Sequence, residues 1–203
     1  MIEIGDNGEK LVDIRKKCPG IICDLGCAKL YKRKPLVRET VAEMLNRAKS
    51  YLPSGMTFII GDAWRSKKLQ KKTWLRRYRR LKKLHPKWSE AKLLEQTEKY
   101  VAPYEGREVS GHMTGGAIDL RLYKNGRKIP MKSGKVAFEE NAKSDQKKLP
   151  KYIRRNRKLM FLALKKAGLS NYKKEYWHWS YGDLWWAKRN HKKSTIYGPV
   201  YKL

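Results

Sequence analysis

The residue types most able to do chemistry in this chain are two histidines and two carboxylates in two short segments. His112 stands seven residues before Asp119, and Glu175 stands three residues before His178. Two imidazoles and one carboxylate can hold Zn²⁺ and leave a fourth position for water, while the second carboxylate carries a proton. The chain has only four histidines, so two in these segments favour a shared metal site over separately packed side chains. The pattern predicts metal-assisted hydrolysis.

A predicted strand would position the first carboxylate. Residues 117–123 alternate so that Ile118, Leu120 and Leu122 share one face of the strand and Asp119 lies on the other. A carboxylate on the face opposite an aliphatic stripe is free to point at a metal.

A glycine turn and a bend would bring in the other groups. Gly115 and Gly116 permit a sharp turn that lets the first histidine fold back towards the strand. The aromatic residues 176–181 predict a second strand. Glu175 would fall on the opposite face of an ideal strand from His178, so it must sit in a bend just before that strand to serve the same site.

The rest of the chain reads as one α/β domain that spans residues 1–203. A helix precedes a short buried strand at residues 56–60. Residues 65–83 are strongly basic but form an amphipathic helix. Its apolar stripe consists of Trp74, Tyr78 and Leu81.

Turn and capping residues set the limits of the remaining helices. Pro86 ends the basic helix, and Ser89 caps a further helix that runs through Val101. A last helix at residues 153–167 begins in a second basic stretch and stops at Gly168.

The two chemical segments resemble a known family. The pattern Ser-x-His-x-x-Gly-x-Ala-x-Asp followed by Glu-x-Trp-His is similar to the zinc D-alanyl-D-alanine dipeptidases of the vancomycin-resistance type, within the Hedgehog-like group of zinc D,D- and L,D-peptidases. The resemblance covers most of the chain. Further similar segments are the family's first helix at 36–48, a strand end carrying an arginine at 61–65, a helix at 156–168 and a dipeptidase-like tail at 194–198.

This resemblance implies a fold, a cofactor and roles for individual residues. The implied fold class is α/β (α+β), with a mainly antiparallel sheet that carries the zinc site and flanking helices. His112, Asp119 and His178 would hold one Zn²⁺ per chain. Glu175 would be the general base and acid, and Arg65 would stabilise the tetrahedral intermediate.

Two departures from the family pattern concern the substrate pocket. Residues 24–28 place Cys27 where the dipeptidases carry a tyrosine beside the substrate. Trp179, directly after a predicted ligand, is a feature of the carboxypeptidase branch. The pocket is therefore expected to differ from that of the typical dipeptidases.

Three further residues are candidates for contacting the substrate. The family's segment with an aspartate near the substrate's amino group is replaced by residues 131–139, and Glu139 or Glu140 would take that aspartate's place. Ser110 would either donate a hydrogen bond to substrate or cap its own turn.

The charge of the chain is strongly positive. Lys and Arg total 49 against 19 Asp and Glu, a formal net charge of +30. Such a field attracts anionic partners without specificity. Because the basic residues are spread over helices and form no recognisable nucleic-acid motif, we expect a solvated surface and no specific nucleic-acid partner.

The cysteines and the absence of long apolar runs favour a cytoplasmic protein. Cys18, Cys23 and Cys27 are odd in number and close together, which predicts reduced thiols and no disulfide framework. No run is long enough to span a membrane and no signal peptide is visible, so we expect no membrane association.

Three classes of function are compatible with these features. The leading prediction is a zinc dipeptidase that hydrolyses D-alanyl-D-alanine or a similar short dipeptide. The alternative is a zinc D,D- or L,D-carboxypeptidase or endopeptidase acting on peptidoglycan peptides. A basic nucleic-acid-binding protein with a vestigial zinc site is supported by charge alone.

Overall fold

A computed structural model describes residues 1–24, 34–106 and 108–203. Cys27, predicted to stand where the typical dipeptidases carry a tyrosine, lies outside the described residues, as do Leu25, Gly26 and Ala28. None of the helices in the described ranges has the length and apolar character that a membrane span requires.

The described residues form helices and short strands that alternate along the chain. The helices are α1 (Ile14–Lys17), α2 (Glu39–Ser50), α3 (Lys67–Leu84), α4 (Glu90–Glu98), α5 (Phe138–Ala142), α6 (Lys151–Lys166) and α7 (Leu184–Arg189). The strands are β1 (Leu11–Asp13), β2 (Ile22–Cys23), β3 (Leu36–Arg38), β4 (Met56–Asp62), β5 (Ala117–Lys124), β6 (Arg127–Lys128), β7 (Ser170–Asn171) and β8 (His178–Ser180).

The main sheet has the strand order β2-β4-β5-β8-β7, with β6 paired to β5. Its pairings are antiparallel except for the parallel pair of β2 and β4. Strands β1 and β3 form a separate antiparallel pair. The architecture confirms the predicted α+β class with a mainly antiparallel sheet and flanking helices.

One face of β5 forms the centre of the hydrophobic core. Ile118, Leu120 and Leu122 are each at most 1% exposed and pack in one cluster with apolar residues of α2 and α6. The strand extends one residue beyond the prediction, to Lys124. The period-two pattern of burial therefore confirms that Asp119 faces away from the core.

The predicted helix at residues 36–48 is wrong at its start. Residues Leu36–Arg38 form strand β3, which pairs with β1, and the helix begins only at Glu39. The physical reason is that Val37 and Arg38 are both buried, and the Arg38 amide donates to the carbonyl of Gly115. Tertiary pairing thus overrides the helical spacing of the apolar residues.

The predicted strand at residues 176–181 is longer than the observed one. Only His178–Ser180 is extended, because the Tyr176 amide donates to the carbonyl of Ala142 and not to a neighbouring strand. Glu175 lies in the bend that the shared site requires, since its carbonyl accepts from the His178 amide at 3.1 Å.

The helix limits are confirmed at most positions. Ser89 caps α4 by accepting a hydrogen bond from the Lys92 amide. Gly168 follows the end of α6 with a φ of +98°, a backbone conformation that favours glycine. The predicted extension of α4 to Val101 is wrong. The helix stops at Glu98, and the chain then turns.

Candidate metal centre

Three side chains from three elements converge where β5 pairs with β8. His112 lies on a 3₁₀ turn, Gly111–Thr114, that ends at Gly115 with a φ of +75°. Asp119 on β5 and His178 on β8 lie directly opposite each other in the antiparallel register. One ligand atom from each of the three lies within 4.8 Å of the others.

The distances and hydrogen bonds favour a shared cation. Asp119 Oδ1 lies 3.4 Å from His112 Nε2 and 3.0 Å from His178 Nδ1. His112 Nδ1 lies 3.0 Å from the carbonyl oxygen of Ala63, which can only accept, so Nδ1 carries the proton and Nε2 keeps its lone pair. Such a backbone contact fixes the orientation of a metal-binding histidine.

This donor set fits zinc. Two imidazole nitrogens and one carboxylate oxygen are ligands that Zn²⁺ accepts, and three protein ligands leave one position open in a tetrahedral site. His112 is buried, and Asp119 and His178 are half-buried. The three side chains could therefore hold one zinc ion with an open coordination position.

Burial and mutual charge shift the pKa values of these groups. Burial lowers the pKa of His112 to about 4, with a further contribution from the charge of Arg65. Burial alone would raise the pKa of Asp119, but its interactions with His112 and His178 outweigh burial and hold the pKa well below the usual range. A neutral imidazole beside an ionised carboxylate is the protonation state that metal binding requires.

Glu175 is a half-buried carboxyl group beside this cluster. Its pKa is raised to about 7, first by burial and then by the negative charge of Asp119. A carboxyl group with a pKa near the working pH can both accept and donate a proton. Its backbone is fixed by the bond from its own amide to the carbonyl of Tyr172 at 2.9 Å.

Asn171 holds the bend that presents Glu175 and His178. Its side-chain amide Nδ2 donates to the carbonyls of Glu175 at 3.2 Å, Tyr176 at 3.4 Å and His178 at 3.0 Å. The side chain is buried. One amide group thus fixes the backbone from the predicted proton carrier to His178.

Arg65 follows the end of β4 and is held from two sides. Its Nε and Nη2 donate to Asp62 Oδ2 at 2.9 and 2.6 Å, and its Nη1 donates to Gln70 Oε1 at 3.0 Å. Burial lowers its pKa, against the opposing charges of Asp119 and Glu175. The guanidinium group is therefore preoriented in the field of the site's carboxylates.

One small cavity gathers six of the predicted site residues. It has a volume of about 150 Å³. The predicted residues that line it are Arg65, Ser110, His112, Asp119, Glu175 and His178. A potential metal-ligand set, a carboxyl group with a raised pKa and a cation therefore surround one cavity, an arrangement that can support metal-assisted hydrolysis.

The other two predicted residues lie further away. The carboxylate of Glu139 accepts a hydrogen bond from the hydroxyl of Tyr100, and Tyr100 lines the cavity. Glu140 accepts from Lys143 at 2.6 Å and also contacts Gln146. Neither glutamate is among the described lining residues.

Several lining residues escaped the sequence analysis. They include the aromatic residues Tyr100, Tyr172 and Trp185. A fourth aromatic lining residue, Trp177, is the tryptophan of the Glu-x-Trp-His segment, but no role was predicted for it. The only sequence signal for Tyr172 and Trp185 was proximity to that segment. Tyr100 precedes Ser110 by ten residues and carried no such signal.

The comparison with protein families identifies the class. The chain matches the D-ala-D-ala dipeptidase family over residues 25–195. The chain therefore belongs to this family and is a zinc D,D-peptidase, a metallopeptidase. The family match confirms the resemblance that the two motifs indicated.

A solved structure is also similar to the chain. It is the crystal structure of a mutant of the vancomycin-resistance D,D-pentapeptidase VanY, from a VanB-type resistance cassette, in complex with Zn(II). The identity is 12%, the match covers 79% of this chain and 81% of that one, and the TM-score is 0.45. No curated protein matches the chain.

Proposed function

We propose that the protein is a zinc dipeptidase that hydrolyses D-alanyl-D-alanine or a similar short dipeptide. The observation that carries the proposal is the grouping of the ligand set, Glu175 and Arg65 around one cavity of about 150 Å³. Pockets for drug-sized ligands are at least about 300 Å³, so the size of this cavity favours a small substrate.

In this proposal His112 binds one zinc ion through Nε2, His178 through Nδ1, and Asp119 through a carboxylate oxygen. When bound, the ion supplies Lewis acidity that polarises the peptide carbonyl and makes water a nucleophile near neutral pH. The contact between His112 Nδ1 and the Ala63 carbonyl supports this assignment, since it leaves the lone pair of Nε2 available to a metal ion.

Glu175 performs the two proton transfers. Its carboxylate accepts a proton from the attacking water at an Oε atom and then donates it to the nitrogen of the leaving amino acid. The pKa of about 7, raised by burial and by Asp119, matches both roles.

Arg65 stabilises the negative charge that develops on the carbonyl oxygen. Its contacts with Asp62 and Gln70 hold the guanidinium group before the substrate arrives, so no reorganisation is needed. A preorganised donor of this kind contributes about 3 kcal/mol to transition-state stabilisation.

Two further residues would bind the substrate's polar groups. Ser110 lines the cavity and would donate a hydrogen bond to the substrate. Of the two glutamates, Glu139 is the better candidate for the substrate's amino group, because it contacts Tyr100 at the cavity whereas Glu140 is engaged by Lys143.

A second candidate function is a carboxypeptidase or endopeptidase acting on peptidoglycan peptides. A groove of about 310 Å³ adjoins the cavity and shares Tyr172 and Trp185 with it. Its rim includes Lys173, Lys174 and Arg189. Such a groove has room for the remainder of a longer, acidic peptide, and this observation supports the alternative.

We further propose a single catalytic domain and a cytoplasmic location. The described thiols support the location, since Cys18 and Cys23 are free, as expected in a reducing compartment.

The experiment that separates the two functions compares substrate lengths. We expect free D-alanyl-D-alanine to be cleaved faster than its amino-blocked form or a tripeptide ending in D-alanyl-D-alanine. The reason is that a carboxylate positioned for a free ammonium, the role proposed for Glu139, loses its partner when that ammonium is blocked. Steady-state kinetics at two salt concentrations also tests whether the positive charge of the protein affects turnover. We expect turnover of a zwitterionic dipeptide to change little with salt. Equal or faster cleavage of the longer peptides rejects the dipeptidase.

A further inference from the structure

One wall of the catalytic cavity is the short segment that ends α4. Its consecutive residues, all lining the cavity, are Glu98, Lys99, Tyr100, Val101 and Ala102. The amides of Tyr100 and Val101 both donate to the carbonyl of Thr97, at 3.2 and 3.0 Å. The backbone of this wall is thus anchored to the last turn of α4.

The wall is also tied to the catalytic arginine. Gln70, which is fully buried, donates through Nε2 to the carbonyl of Ala102 at 2.7 Å and accepts through Oε1 from Arg65. A single amide side chain therefore fixes the distance between the wall and Arg65.

The ring of Tyr100 is clamped by side chains from three helical regions. Its hydroxyl donates to the Glu139 carboxylate on α5. The guanidinium carbon of Arg77, on α3, lies 4.8 Å from the ring centroid, and Lys99 Nζ lies 5.5 Å from it. Cations over an aromatic face and a charged hydrogen bond at the hydroxyl together hold one ring orientation.

We propose that Tyr100 is a specificity-determining residue, whose clamped ring limits the cavity to substrates of dipeptide size. This role rests on the proposed dipeptidase function. The ring is the largest side chain of a wall that the helix, Gln70 and Glu139 hold in place, so the cavity cannot enlarge by a simple side-chain rotation. A substrate whose additional residue extends towards this wall has to displace the ring and break its contact with Glu139.

The test measures how the preference for substrate length changes when the ring is removed. The substrates are D-alanyl-D-alanine and the tripeptide L-lysyl-D-alanyl-D-alanine, and the readout is the ratio of their kcat/KM values. Tyr100→Ala should shift this ratio towards the tripeptide by at least roughly tenfold, the size of effect that altered fit in a closed pocket produces. Tyr100→Phe, which keeps the ring, should shift the ratio much less.

A matched control is available in the same connecting segment. Tyr104 packs edge-on against Trp74, at 5.9 Å between ring centroids, and is not among the described residues that line the cavity. Tyr104→Ala should leave the ratio at its wild-type value. Bound zinc and far-UV circular dichroism establish that each variant is folded, and Tyr100→Leu replaces Tyr100→Ala if the latter is not.

The outcomes separate this role from the proposed function. If the wild type prefers the dipeptide but the kcat/KM ratio is unchanged in folded Tyr100→Ala or Tyr100→Leu, the role of Tyr100 is overturned. The dipeptidase proposal is not affected by that result. A wild-type enzyme that prefers the tripeptide rejects the dipeptidase and this role with it. A shift of equal size in Tyr104→Ala also overturns the role.

Discussion

Replacement of Glu175 by glutamine should abolish most of the turnover while the metal ligands stay in place. The amide has the same shape as the carboxyl group, and the backbone contacts of residue 175 with Tyr172 and His178 do not involve the side chain. The pKa of Glu175, raised to about 7 by burial and by Asp119, suits a group that gains and loses a proton in each cycle. One such role contributes about 10²- to 10⁴-fold to the rate.

Because the same group acts twice, we expect the loss to lie at the upper end of this range. A decrease of about 10⁴-fold in kcat corresponds to about 5 kcal/mol of activation free energy. The assay is steady-state hydrolysis of D-alanyl-D-alanine, together with the zinc content of the purified variant.

The matched control for this variant is Glu95→Gln. Glu95 is exposed on α4 and pairs with Lys92, so its removal should change neither zinc content nor turnover. Activity of Glu175→Gln within roughly tenfold of wild type, at full zinc occupancy, would refute the assignment of the proton carrier.

Two further predictions concern the residue that holds the Glu175 bend and the two described thiols. Asn171→Ala removes the amide that holds three carbonyls at the Glu175 bend, so urea unfolding should show a free energy of unfolding lower by about 1–3 kcal/mol. The control is Asn46→Ala, which removes a more exposed amide. Equal losses of stability in the two variants would contradict the role of Asn171. Burial raises the pKa values of Cys18 and Cys23 to about 11, so alkylation of both thiols should be slow at pH 8 and should accelerate as the pH rises towards that value. Mass spectrometry of iodoacetamide-treated native and urea-unfolded protein checks this, and equal rates in the two states would exclude protection by the fold.

The sequence predicted the site where local periodicity and position were sufficient. Alternation of Ile118, Leu120 and Leu122 identified the strand that carries Asp119. Motif spacing identified His112 and His178 as its neighbours, and the structure brings the three side chains together. The requirement for a bend at Glu175 followed from strand geometry alone and is also observed.

The parts that the sequence did not predict depend on contacts between distant segments. Residues 36–38 form a strand because β1 pairs with them, which no local pattern indicates. Gln70 and Tyr100 join the site through contacts with Ala102 and Glu139. Single-residue propensities carry no information about such contacts.

The most direct test of the central claim is the zinc content of the wild-type protein and of the variants His112→Ala and His178→Ala. If these two histidines and Asp119 form the metal centre, the wild type should bind one zinc ion per chain. Both variants should lose the ion and the hydrolytic activity together. The control is His85→Ala, which should keep both, because His85 stacks on Trp88 and does not line the cavity. Stoichiometric zinc in either ligand variant, or hydrolysis that survives its loss, would contradict the claim.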